Sequence, residues 1–135
     1  MPPLARRYLK TAIVFTILSV LTGMHMSSAI HIGSGIMHRW YISAHTHLVL
    51  VGGLVFAVCG VALWKLPPAE RERPRLDGAL YTLLFLSTLV RFSGECTLGY
   101  LVPEPAWLHW TVHTAATLQG LSLVVFLLRL WPRLR

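Results

Sequence analysis

His45 and His47 stand at the head of an apolar run, "SAHTHLVLVGG". Imidazole is the side chain best suited to ligate a metal or carry a proton near neutral pH. Two residues apart on a helix, these rings point in different directions, so only one can aim into a bundle. His47 is the deeper and precedes a glycine pair, which makes it the expected inward ligand. His45 is then its supporting donor or faces water. His109 and His113 are four apart and share a helical face, with His113 the deeper and His109 between two tryptophans. His25, His31 and His38 complete the seven histidines. Met24, Met26 and Met37 beside them are packing residues or soft copper ligands.

The elements that position these groups are membrane helices. The chain is 55% hydrophobic and 13% charged, with a mean hydropathy of +0.61. A soluble domain would carry roughly twice that charge. Four apolar stretches, at about 8–30, 42–66, 76–97 and 106–131, each reach the roughly 20 residues that cross a bilayer core. Backbone groups in lipid must bond within their own segment, so the stretches are helices. Short connections make consecutive helices antiparallel. The expected fold is all-α: a single integral-membrane domain over 1–135, a four-helix bundle running up-down-up-down.

The net charge of +7 does not indicate a nucleic-acid partner. Arg6, Arg7, Lys10, Lys65, Arg71, Arg73, Arg75, Arg129, Arg133 and Arg135 all fall on one side of a chain that crosses four times. The positive-inside rule makes that side cytoplasmic, with both termini there, in a bacterial-type inner membrane. Tyr8, Trp64 and Trp131 mark the inner interface, and Trp40, Tyr41, Tyr100, Trp107 and Trp110 the outer one. The basic start and first apolar helix read as an anchor. Cys59 and Cys96 lie at different depths, beyond disulfide reach. "KLPPAERERPRLDG" is the clearest loop, where Asp77 can cap the third helix.

Topology turns the histidines into a layer in the outer half. At about 1.5 Å per residue, His25, His47 and His113 sit roughly one to two turns inside the outer boundary, on three different helices. Glu95 reaches the same level on the third helix. Ionisable groups inside a membrane segment point to function. His25, His47, His113 and Glu95 are the candidate metal ligands. Arg91 and Glu95, four apart, can form an intrahelical ion pair. Alternatively Arg91, with Arg39, can meet an anionic cofactor group such as a haem propionate. Small residues on helix two (Gly52, Gly53, Ala57, Gly60) and helix four (Ala115, Ala116, Gly120) let helices approach closely, or leave room for a flat cofactor. The inner halves read as almost wholly apolar.

At "AHTHLVLVGGLVFAVCGVALW" the chain resembles the H-x-H-L-x-x-x-G helix of relatives of the haem-copper oxidase catalytic subunit. It is similar in layout to small four-helix oxidase-subunit-I-like and NnrS-type haem proteins. The resemblance implies haem or metal ligation by His47, with His45 beside it. It covers most of the chain in layout, but only about 43–64 in motif. The several-histidine helix of a complete oxidase site is missing.

Three functions follow as expectations. One is a haem b protein of respiratory electron transfer or O2 and NO handling, with His47 and His113, or His25 with either, as axial ligands and respiratory subunits as partners. Another is a haem-free copper, zinc or iron site. The third is a cofactor-free structural subunit of a respiratory complex. The lipid bilayer surrounds the chain in each case, and a homo-oligomer is compatible with all three. No phosphate-binding glycine loop or nucleophile–base pair is visible, and these residues leave open whether the chain is an enzyme.

Overall fold

The computed structural model describes residues 1–33, 38–67 and 74–134. Met37, Arg71, Arg73 and Arg135 lie outside the described residues. Within them the elements are α1 (Pro3–Ile32), α2 (Arg39–His47), a π-helical segment (Leu48–Val55), α3 (Phe56–Lys65), α4 (Pro74–Leu98), α5 (Ala106–Leu130) and a short 3-10 turn (Trp131–Leu134). The second span, Arg39–Lys65, is continuous through α2, the π segment and α3. Four helices among the described residues are long and apolar enough to cross a membrane, with mean hydropathies of 1.7, 2.2, 1.2 and 1.6 over their most apolar windows. Their outward faces carry Ile13, Ile17, Val20, Leu54, Val58, Leu86, Leu121 and Leu128, all exposed. Such a surface suits acyl chains and would aggregate in water.

Packing follows a period of 3.5 residues on three of the spans. Ala5, Tyr8, Ala12, Phe15, Ser19 and Thr22 are the buried steps of α1. On α4 the seam runs through Asp77, Tyr81, Leu84, Thr88, Arg91, Glu95 and Leu98, and on α5 through Leu108, Val112, Ala115, Gln119, Ser122, Phe126 and Arg129. Alternating steps of three and four keep one seam facing a neighbour along the whole length. α4 and α5 pack closely along their length. The pairing is antiparallel: Asp77 meets Arg129 at one end, and Leu98 clusters with Leu108 at the other.

The second span breaks the pattern. Ala44, Leu48, Gly52 and Phe56 are all buried in steps of four. A regular α-helix would carry such a series steadily around its axis. The π segment, where the Phe56 N–H reaches the Val51 carbonyl five residues back, fits more residues into each turn and holds the series on one side. That side lies against α1. A Cβ on Gly52 would stand 2.8 Å from Phe15 Cβ, and one on Gly60 would stand 2.8 Å from Leu9 Cγ. The glycine face is therefore filled by α1, with no slot left for a flat cofactor. Gly120 has nothing within 4 Å of a Cβ position and points away from the seam. The close-approach glycine of the α4–α5 pair is Gly94, whose Cβ would meet Val112 Cγ2 at 2.6 Å.

The half of the bundle nearest the chain termini, expected to be almost wholly apolar, is less so than its sequence suggests. Asp77 does not cap α4. It lies in the first turn and accepts a bond from Arg129 Nε at 2.6 Å. Thr11 and Tyr81 share a 2.7 Å hydroxyl bond between α1 and α4. Tyr8 is fully buried among Phe56, Tyr81 and Phe126, with ring centroids 5.0–5.4 Å away.

Candidate functional site

The polar centre of the bundle is a network joining α2, α4 and α5. Arg91 donates from Nε to Glu95 Oε1 at 3.2 Å, from Nη1 to Gln119 Oε1 at 3.1 Å and from Nη2 to His47 Nε2 at 2.6 Å. The expected Arg91–Glu95 pair thus forms, and Gln119 passes the chain on to Thr88 Oγ1 at 2.9 Å. Ser43 Oγ donates to Glu95 Oε1 at 3.0 Å. A charge in hydrocarbon is costly unless it is paired and bonded, and here the guanidinium has an acceptor for each of its three nitrogens.

These contacts fix the state of His47. A guanidinium only donates, so Nε2 accepts and the proton of the neutral ring sits on Nδ1. Nδ1 lies 2.9 Å from the Ser43 carbonyl, which takes that proton. Glu95 Oε2 lies 3.4 Å from the same nitrogen, yet is buried without a hydrogen bond among the described residues. With both nitrogens engaged, His47 is held as a structural acceptor.

His45 is placed differently. Its Nδ1 lies 3.1 Å from the Ser19 carbonyl on α1, and its ring lies over Gly23, where a Cβ would come within 3.1 Å of Cε1. A carbonyl can only accept, so Nδ1 carries the proton and Nε2 keeps the lone pair. This is the arrangement by which proteins orient a ligating imidazole: one nitrogen tied to a carbonyl, the other presented. The two rings therefore face different neighbours: His47 faces Arg91 and His45 faces α1.

The remaining candidates do not converge on these two. His25 is half-buried beside Tyr41, with ring centroids 5.3 Å apart, on the part of α1 beyond its last buried residue, Thr22. His113 is exposed on the outside of α5, next to Trp110. Met24 is 61% exposed. Among the described residues no three of His, Cys, Asp or Glu gather where they could hold a metal ion, so the set His25, His47, His113 and Glu95 is not assembled. A haem clamped inside the bundle by His47 and His113 does not fit either. One ligand is committed to Arg91, the other faces outward, and the glycine face between helices is filled.

Arg39 belongs to a second cluster, at the end of the bundle away from the chain termini. Its side chain is 74% exposed and stands 3.6 Å from Glu104, stacked 5.1 Å from the Trp40 ring centroid. Glu104 also receives Trp40 Nε1 at 3.0 Å and meets His109 Nε2 at 2.9 Å and His38 Nε2 at 3.8 Å. The Trp40 indole bond, then Arg39, His109 and His38, hold its carboxyl below the ordinary glutamate range. His38 additionally caps α2, its Nδ1 accepting from the Trp40 backbone N–H at 3.4 Å. Sequence reasoning missed Glu104 as this hub, and it missed Ser43, Thr88 and Gln119. Gln119 carried a usable signal, being an amide on the 3.5-residue seam of an apolar helix.

No protein-family model, curated protein or solved structure matches the chain.

Proposed function

We propose that this chain is a haem-binding membrane protein of respiratory electron transfer or O2 and NO handling, in which His45 supplies the axial imidazole. The bundle would cross an inner membrane four times, with both termini cytoplasmic and the histidine layer outward, as the basic residues suggest. The observation that carries the reading is the Ser19 carbonyl bond to His45 Nδ1, which leaves Nε2 as the ligating nitrogen. Bound there, haem would supply the redox or gas-binding chemistry. His45 would hold it, Gly23 would give its ring room, and His25, two residues further along α1, is the candidate for a second ligand. The test is the absorption spectrum of protein purified after haem-sufficient expression. We expect a Soret band that His45→Ala abolishes and His47→Ala retains. A bandless wild-type protein would sink the reading.

A second reading, a cofactor-free subunit that stabilises a larger respiratory complex, is favoured by one observation. The His47–Arg91–Glu95–Gln119 network closes on itself, as a purely architectural core would. Co-purification with an oxidoreductase, without haem or metal, would select it.

A further inference from the structure

At the end of the bundle away from the chain termini, two imidazoles meet one carboxylate in different ways. Glu104, in the connection between α4 and α5, faces His109 Nε2 from α5 at 2.9 Å and His38 Nε2 from the start of α2 at 3.8 Å. Arg39 Nη2 stands at 3.6 Å, and the Trp40 indole N–H donates at 3.0 Å. From the turn after α4, the backbone at Gly99 packs on this group, where a Cβ would come 3.7 Å from the Cβ atoms of His38 and Tyr41. A phenol, as on Tyr41 and its neighbour Tyr100, brings no charge at the pH where an imidazole takes up its proton. His109 donates from Nε2, so a proton added at Nδ1 leaves its bond in place and strengthens it. His38 is not so free. Its Nδ1 is the acceptor that caps α2, 3.4 Å from the Trp40 backbone N–H, which puts the neutral ring's proton on Nε2. An imidazolium has no acceptor. Protonated His38 must therefore release the Trp40 N–H, and its new charge favours the carboxylate 3.8 Å away.

We propose that His38 is an acid-released latch: neutral, it caps the start of α2; protonated from the water at that end of the bundle, it leaves the cap for Glu104. The carboxylate stays ionised while the imidazole charges, because the Trp40 indole bond and the cations around it hold it below the ordinary glutamate range. Closing the gap to hydrogen-bond distance takes about 1 Å of ring movement. Arg39, largely exposed, can turn into water as the second cation arrives. The cap bond is thus present at neutral pH and above, and is lost as pH falls through the range of about 8 to 5 where imidazoles change charge. Acid loosens the first turn of the second span and ties its start to the connection before α5.

The experiment is nuclear magnetic resonance of the full nitrogen-15-labelled chain in detergent micelles, titrated from pH 8 to 5. The Trp40 backbone amide reports the cap, and the ring nitrogens of His38 report its proton. We expect the amide to shift in one step that coincides with protonation of His38 Nδ1. Its protection against hydrogen exchange, corrected for intrinsic rates, should fall about fivefold, the weight of one neutral hydrogen bond. His38→Asn caps a helix without titrating, so it should keep the protection and abolish the step. His109→Gln should leave the step in place. Glu104→Gln should make the His38 ring need about two- to fivefold more acid to protonate, the weight of an exposed ion pair. A Trp40 amide that stays still while His38 titrates, a step that survives His38→Asn, or a His38 titration untouched by Glu104→Gln would overturn the proposal.

Discussion

His47 and His45 stand two residues apart on one helix and are treated in opposite ways. His47 gives Nε2 to Arg91 and Nδ1 to the Ser43 carbonyl, inside a network where the charged groups restrain one another. His45 is tied at Nδ1 alone and lies on the looser α1–α2 face, beyond which α1 has no buried residue. The contrast teaches that depth in a membrane does not by itself mark a ligand. A deep imidazole saturated by neighbours holds helices together. A shallower one with a single oriented bond stands outside that network.

The strongest way to break the contrast is to cut the closed network. Arg91→Leu strands the Glu95 carboxylate, which is 2% exposed, and should cost about 3–5 kcal/mol, the usual consequence of orphaning a buried charge. Thermal unfolding in detergent should fall steeply, and Arg91→Leu combined with Glu95→Leu should recover much of the loss. If the double variant is no better than the single, the network is not a mutually compensating unit. His47→Ala should cost less, about 1–3 kcal/mol, by leaving an Arg91 donor unmet. His45→Ala should barely move the unfolding temperature, so a large drop there would erase the distinction between the two rings.

The α1 interface offers the next test. Gly52→Ala places a Cβ 2.8 Å from Phe15 Cβ and should destabilise by about 1–3 kcal/mol. Gly120→Ala, with open space around it, should be neutral or stabilise by up to about 1 kcal/mol. Guanidinium-free unfolding scans of the two variants side by side give the comparison directly.

The smallest expected effect is at the outer cap. The folded chain holds the Glu104 carboxyl below its ordinary range, so the unfolded chain binds the proton more readily. The cap's contribution is complete above glutamate's ordinary pKa of about 4.3 and fades as pH falls through the lowered value. Trp40 fluorescence followed through acid should show the cap loosening, and Glu104→Gln should flatten that response.

Much of this architecture can be read from residue order. The spans, at about 8–30, 42–66, 76–97 and 106–131, fall close to the observed helices, because twenty apolar residues admit few alternatives. The Arg91–Glu95 pair is legible because four residues make one helical step. The bearing of His45 and His47 relative to the glycine face is not, since a helical wheel assumes one constant turn and the π segment that follows them violates it. Asp77–Arg129 is hidden for another reason: its partners are 52 residues apart and meet only once α4 and α5 lie side by side. Depth arguments likewise put His113 in the layer but said nothing of its bearing, which is outward.

The π segment has a consequence for heredity as well as shape. It contains no histidine, yet it sets the rotational phase between α2 and α3. Were Leu48–Val55 to relax into α-helix at constant length, each residue would turn further and the outer part would swing relative to α3. His47 would turn away from Arg91. Substitutions within "LVLVGGLV" can therefore move His47 off Arg91 while leaving both histidines in the chain.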